Sequence, residues 1–383
     1  MIVLNKRVEE LKPSGIREFF ELVLGMKEVI SLGVGEPDFT TPWNIRERAI
    51  FSLEEGYTSY TSNKGLFSLR KAISSYLEKY YDLSYDPETE ILVTVGVSQA
   101  FDLAIRALVN ERDKVLIFEP FYVAYPAISF LQGAQNLFLK LEEPDFKIKP
   151  KKLYEVLKKN KPKIIILNYP SNPTGVSYTK EELKELWRVI KKFDCVVISD
   201  EIYDRLSYDF IHTPFPKVGS AKKRTVYMSG FSKNFAMTGF RIGFVAAPSK
   251  IIEAMTKIHQ YSMLCAPITS QMAALEALEK GEKELELMKK EYKRRRELVV
   301  EFLNEIGLKT TKPNGAFYCF SNIEVSRLKS VEFAKRLLLE KKVAVVPGIA
   351  FGDFDNFIRI TYAQKIDTLK EALNRIKEFL SSL

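Results

Sequence analysis

Residues 163–203 read KIIILNYPSNPTGVSYTKEELKELWRVIKKFDCVVISDEIY, and this stretch decides the fold. Its two ends, KIIILNYP (163–170) and DCVVISDEIY (194–203), carry short β-branched runs that are apolar at consecutive positions. Both faces of such a strand must be covered, which is the mark of a sheet buried between helices. Between them, Lys180 to Lys192 has helical spacing, opened by Thr179 as N-cap with Glu181 and Glu182 in the first turn. Strand, crossover helix and strand make one parallel unit.

The same rhythm runs outward from about residue 46 to 280. ILVTVG (91–96), KVLIFEP (114–120), TVYMSG (225–230) and RIGFVAAP (241–248) are further strands, and Ser98 to Val109 is a further helix. After residue 280 the pattern changes. KELELMKKEYKRRRELVVEFLNEIGL (283–308) sets Leu285, Met288, Tyr292, Val299, Phe302 and Ile306 on one face of a long amphipathic helix. Strand GAFYCFSNI (315–323), helix SVEFAKRLLLEKK (330–342), strand VAVVPG (343–348), strand NFIRITYA (356–363) and helix TLKEALNRIKEFLSSL (368–383) follow. A helix GIREFFELVL (15–24) and the segment ISLGVGEPDF (30–39) have no continuous sheet of their own, so they are expected to pack on the C-terminal unit or on a neighbouring subunit. The expected fold is α/β: a mostly parallel central sheet in a large domain (45–281), and a smaller α+β domain formed by both chain ends (1–44 and 282–383).

With 383 residues, 46% of them hydrophobic and 12% aromatic, the chain has a globular composition and enough apolar mass for a substantial core. No apolar run reaches the length of a membrane span, and the N-terminus lacks the apolar centre of a signal peptide, so a cytoplasmic protein is expected. Cys195, Cys265 and Cys319 lack metal-ligand spacing, and Cys195 and Cys319, set among apolar neighbours, read as small core residues. His212 and His259 have no ligand cluster around them, so neither a metal site nor histidine chemistry is expected. The net charge of +9 asks for an anionic partner. The basic runs KKR (222–224) and KRRR (293–296) are short and read as solvated faces, not as a nucleic-acid surface. GVG (33–35) is no dinucleotide fingerprint, because GxGxxG is incomplete there.

Five clusters at strand ends can carry chemistry. Lys233 follows a strand among Phe231, Phe235, Met237 and Phe240, surroundings that desolvate an ammonium and favour a nucleophilic amine; a lysine snorkelling from a strand end is the plain alternative. Asp200, Glu201 and Tyr203 end a buried strand where open α/β sheets bind ligands, or they cap a helix. Asn172 is held between Ser171 and Pro173 in a stiff loop that either places an amide or merely turns. Gly96, Val97 and Ser98 join a strand to a helix N-terminus, a weak phosphate cradle taken alone. Arg359 sits inside a short strand, suited to a bidentate carboxylate contact, although the strand by itself favours an ordinary edge arginine.

Together the clusters resemble the fold-type I, class I/II aminotransferases that use pyridoxal 5′-phosphate, in the branch of the archaeal and bacterial aspartate and aromatic enzymes. SLGVGEPDFTTP, YTSNKGLFSLRKAI, NYPSNPTG, ISDEIY, SGFSKNFAMTGFRIG, NGAFY and FIRITYA stand in family order across nearly the whole chain. The resemblance implies that Lys233 binds the cofactor covalently and moves the α-proton as general base, that Asp200 keeps the pyridine nitrogen protonated, and that Tyr203 and Asn172 hydrogen-bond the ring oxygen. It implies a stacking role for Tyr122 of PFYVAY, and a phosphate site at Val97, Ser98, Ser232 and Arg241, with Tyr60 arriving from a partner subunit. Arg359, helped by Asn172 and the Gly35 backbone, would clamp the substrate α-carboxylate.

The implied function is amino transfer between an L-amino acid, aromatic or aspartate, and a 2-oxo acid such as 2-oxoglutarate, by a homodimer with shared sites. A C–S β-lyase of the same fold is the alternative reaction, while a non-catalytic regulator is disfavoured by the intact lysine and its partners. Gly230 stands where many members place a phosphate-binding serine, Tyr122 where aspartate-preferring relatives have tryptophan, and Ser98 where some have lysine. The resemblance therefore does not carry strict dicarboxylate specificity.

Overall fold

The computed structural model describes residues 2–11, 26 and 28–383. The expected helix 15–24 lies outside the described residues. Strand β1 (Ile30–Ser31) precedes seven strands: β2 (Ile91–Thr94), β3 (Lys114–Glu119), β4 (Gln135–Lys140), β5 (Ile164–Asn168), β6 (Val196–Asp200), β7 (Thr225–Gly230) and β8 (Gly243–Ala246). These seven form one sheet in the order β2-β8-β7-β6-β5-β3-β4. Only β8 runs against its neighbours, so the sheet is mostly parallel, as expected. Ile164–Ile166, Val197 and Ile198 are buried, and helices cover both faces with separate apolar clusters.

The crossover helix of the deciding stretch spans Lys180–Ile190, and Thr179 makes a full capping box with Glu182. It stops two residues short of the expected end. The expected strand 194–203 ends at Asp200, beyond which the chain turns and the Glu201 N–H goes to Met228 O. The helix expected from Ser98 begins at Gly96 and ends at Leu108.

Strand β4 is an addition to the sequence reading. It is an edge strand of exposed and half-buried residues, so QNLFLK lacks the continuous apolar run that marks its buried neighbours.

The C-terminal part holds β9 (Tyr318–Asn322), β10 (Val343–Ala344), β11 (Val346–Pro347) and β12 (Phe357–Thr361). The single strand expected at 343–348 is divided, because β10 pairs with β1 while β11 joins the sheet β11-β12-β9. Val345 between them is buried like its neighbours, which hides the break from any apolar pattern. Leu32, beside β1, packs in one cluster with Phe317, Val343 and Ile358, so this N-terminal segment adds to the C-terminal core.

The long helix Glu282–Glu305 buries Leu285, Met288, Tyr292 and Val299 as its spacing requires. Its KRRR run is a solvated face only in its first half, where Lys293 and Arg294 are exposed. Arg295 and Arg296 are buried and paired, the first with Asp38 and Glu291, the second with Asp209 and Glu297. Cys195 and Cys319 are buried core residues, and burial pushes the Cys195 thiol up to about 11. Among the described residues no helix is long and apolar enough to cross a membrane.

Candidate active site

The parallel run β5, β6, β7 brings three carboxyl ends side by side: Asn168, Asp200, and the turn from Gly230 into the short helix Phe231–Asn234. The N-terminus of the helix Gly96–Leu108 and residues of β9 and β12 face the same space. They enclose a cavity of about 860 Å³, in the size range of small-molecule sites. Gly35, Val97, Ser98, Tyr122, Asn172, Asp200, Tyr203, Ser232, Lys233, Arg241 and Arg359 all line it. Tyr60 does not. It is 83% exposed and is not among the residues that line its own chain's cavity.

The Lys233 Nζ donates to the Gly35 carbonyl at 2.6 Å within the cavity, so this half-buried lysine does not snorkel outward. Burial lowers its pKa to about 8, with the Arg359 and Arg241 guanidinia adding to the effect and Glu36 opposing it. Its helix is tied down by Asn234, whose Nδ2 donates to Asp204 Oδ1 at 2.6 Å, and by the buried rings of Phe231 and Phe235.

Asp200 is pushed in the other direction. Burial raises it to about 6, partly offset by the Tyr125 hydroxyl at 2.7 Å and the Ile202 N–H at 3.2 Å. Its neighbour Glu201 turns away into the core, where it meets His212 Nε2 at 2.6 Å and Ser199 Oγ at 2.6 Å.

Arg359 is buried in the middle strand of its sheet, so the edge-strand alternative fails. Its Nη1 donates to Asn172 Oδ1 at 2.9 Å and its Nη2 to Gly33 O at 2.5 Å, and the Tyr318 and Phe351 rings lie on the guanidinium. Asn172 is itself fixed: its N–H donates to Asn168 Oδ1, and the loop closes through Gly175 N to Ser171 O.

Gly96 carries the tightest constraint. It has φ +76°, and a Cβ there would lie 2.7 Å from Arg241 Nη2. A guanidinium therefore stands directly over a helix N-terminus, where backbone N–H groups lack helical acceptors. Arg241 lines the cavity and is exposed. Gly230 also acquires a reason. A Cβ on it would press on Gly243 Cα at 3.0 Å and Val97 Cγ2 at 3.2 Å, so this close helix–strand approach leaves little room for a serine.

The model of the family described as "Aminotransferase class I and II" matches residues 27–376. An aspartate aminotransferase of Pyrococcus abyssi is 43% identical over 99% of this chain and 98% of its own length. Aromatic-amino-acid aminotransferase 2 of Thermococcus litoralis is 38% identical over 99% and 98%. The crystal structure of an aromatic aminotransferase from Pyrococcus horikoshii superposes with a TM-score of 0.89 at 42% identity, covering 96% of this chain and 99% of that one. The chain belongs to the class I and II aminotransferases.

Enzymes of this family use pyridoxal 5′-phosphate, and the donor set fits such a group. An aminotransferase cofactor of this kind presents a phosphate, a pyridine nitrogen, a ring oxygen and an aldehyde. The cavity presents, respectively, a cationic cradle at Gly96 and Arg241, a buried carboxylate, the Tyr203 hydroxyl with the Asn172 amide, and a desolvated lysine. Three cavity residues escaped the sequence reading of this aminotransferase: Tyr125 on Asp200, Asn168 on Asn172, and Tyr318, whose hydroxyl is 2.8 Å from that of Tyr203. Tyr125 stands three residues after Tyr122, and its N–H donates to the Tyr122 carbonyl in the turn that opens the helix Ala124–Leu131, a spacing that could have found it. Tyr318 lies two positions from Phe320, the register partner of Arg359, so strand alternation places it on the arginine's face.

Proposed function

We propose that this aminotransferase moves the amino group of an aromatic L-amino acid or of aspartate to a 2-oxo acid such as 2-oxoglutarate, as a cytoplasmic homodimer in amino-acid metabolism. The observation that carries the reading is the convergence of Lys233 Nζ, the Asp200 carboxylate and the Arg359 guanidinium on one cavity. Bound pyridoxal 5′-phosphate supplies the electron sink that makes an amino acid's α-proton labile. The chain's residues do the rest. Arg359, locked by Asn172 and Gly33, receives the α-carboxylate and so fixes the α-carbon; Lys233, kept easily deprotonated by burial, takes and returns its proton; Asp200 holds a proton on the ring nitrogen.

Val97, Ser98, Ser232 and Arg241 would take the phosphate, with Tyr203 and Asn172 on the ring oxygen and Tyr122 against the ring face. The two units proposed around this cavity are 45–281, and 1–44 with 282–383. A second copy is supported by exposed apolar side chains, Trp43, Ile50, Phe51, Leu53 and Phe67, in the same part of the chain as the exposed Tyr60. Aromatic and aspartate donors are supported by relatives that bear those names at about 40% identity.

The test is a panel of L-amino acids supplied with 2-oxoglutarate, following glutamate formation. Aromatic donors or aspartate should lead. Release of pyruvate and ammonia from cysteine conjugates without any 2-oxo acid, and no glutamate from any donor, would identify a C–S lyase instead.

A further inference from the structure

Both oxygens of the Asp200 carboxylate accept hydrogen bonds. The Tyr125 hydroxyl lies 2.7 Å from Asp200 Oδ2, while Oδ1 accepts the Ile202 N–H at 3.2 Å. Tyr125 is 3% exposed, and its ring is held edge-on by Tyr122 at 5.5 Å and tilted against Phe101 at 4.9 Å. Phe101 belongs to the helix whose N-terminus forms the cradle at Gly96. One ring thus joins the phosphate end of the cavity to the carboxylate end.

Burial and the nearby Asp200 charge hold the phenol of Tyr125 well above its ordinary range, so the proton stays on tyrosine and the hydroxyl is a fixed donor. A carboxylate only accepts, and each hydrogen bond it receives spreads its charge. The other groups acting on Asp200 are Lys233 after β7, Glu201 beside it, and the phenols of Tyr122 and Tyr203.

We propose that Tyr125 is a positioning residue for Asp200: its hydroxyl fixes the carboxylate's orientation and sets how much of its charge reaches the ring nitrogen of the cofactor. The proposal rests on the pyridoxal phosphate reading. Without the hydroxyl, Asp200 is free to rotate and holds a proton of its own at higher pH. Both changes weaken its grip on a protonated ring nitrogen.

The experiment measures the dissociation constant of pyridoxal phosphate by visible absorbance titration of the full chain between pH 5 and 9, in four forms: wild type, Tyr125→Phe, Asp200→Asn and the double variant. The change to phenylalanine removes one oxygen and keeps the ring packing. Tyr125→Phe is expected to bind about tenfold more weakly near neutral pH, with the acid limb of the affinity profile displaced upward by about one pH unit. In the Asp200→Asn background the same change should cost less than about twofold, since the charge it tunes is gone. An equal loss in both backgrounds with an undisplaced pH profile would mean that Tyr125 only packs, and the proposal falls. A wild type that takes up no pyridoxal phosphate would overturn the cofactor reading itself, and the proposal with it.

Discussion

Replacing Asp200 by asparagine should make the cofactor-free protein more stable while disabling it as an enzyme. In the unfolded chain this carboxyl ionises near 3.8; in the folded protein burial holds it at about 6. A carboxyl raised in this way binds more protons folded than unfolded between the two values, so stability falls as pH rises from about 4 to 6. Above 6 the cost is complete. At 1.36 kcal/mol per tenfold, it comes to about 3 kcal/mol.

Asparagine removes that charge but keeps only one acceptor oxygen for the two donors, Tyr125 and Ile202, which returns about 1 kcal/mol. The net gain near pH 7 is about 2 kcal/mol. For 383 residues, with a melting entropy of about 2 cal/mol/K per residue, this raises the melting temperature by about 2–3 °C. Thermal unfolding of both cofactor-free proteins, followed by circular dichroism from pH 4 to 8, checks the sign and the shape. The gap should open between pH 4 and 6 and stay constant above. A variant that melts lower than wild type at pH 7, or a gap independent of pH, would refute the reasoning.

Two further substitutions separate substrate binding from architecture. Arg359→Lys keeps a charge but loses the fork held by Asn172 and Gly33, and should lower kcat/KM for amino acids by about 100-fold while leaving the slow reaction of an amine without a carboxylate unchanged; steady-state assays with both donors decide it. Arg296→Ala removes a fully buried guanidinium that meets Asp209 through two nitrogens and also Pro313 O, and should cost about 3 kcal/mol in denaturant unfolding with little direct effect on substrate affinity, because the site lies elsewhere.

The large sheet was legible because its inner strands must be apolar on both faces, and runs such as Ile164–Leu167 say so without help from the rest of the chain. What escaped depended on partners far away in sequence. β4 is half-covered at an edge, so its pattern is that of an amphipathic segment of either kind. The KRRR run looked solvated because Arg295 and Arg296 find Asp38 and Asp209 at separations of 257 and 87 residues. The site divides in the same way. Lys233, Asp200 and Arg359 stand in distinctive motifs, whereas Tyr125 meets Asp200 across 75 residues and Tyr318 meets Tyr203 across 115. A tyrosine has no local signature to show which carboxylate it will meet.

Burial acts on Lys233 and Asp200 in opposite senses, and this links the fold to the chemistry. A protein interior disfavours charge of either sign, so the lysine descends to about 8 and the aspartate rises to about 6. At pH 7 a lysine at 10.5 is neutral in only about 0.03% of molecules, and one at 8 in about 10%, a gain of roughly 300-fold in the form that can attack an aldehyde or accept a proton. Asp200, still below 7, remains an anion able to hold a cationic ring nitrogen. Had the two groups been exposed, the lysine would be almost wholly protonated. Had they been buried more deeply, without Tyr125, Ile202 and Glu36 to support the charged forms, the aspartate would be neutral and could not pair with that nitrogen. Burial tempered by Tyr125, Ile202 and Glu36 lets one cavity hold an easily deprotonated lysine and a carboxylate anion together near neutral pH.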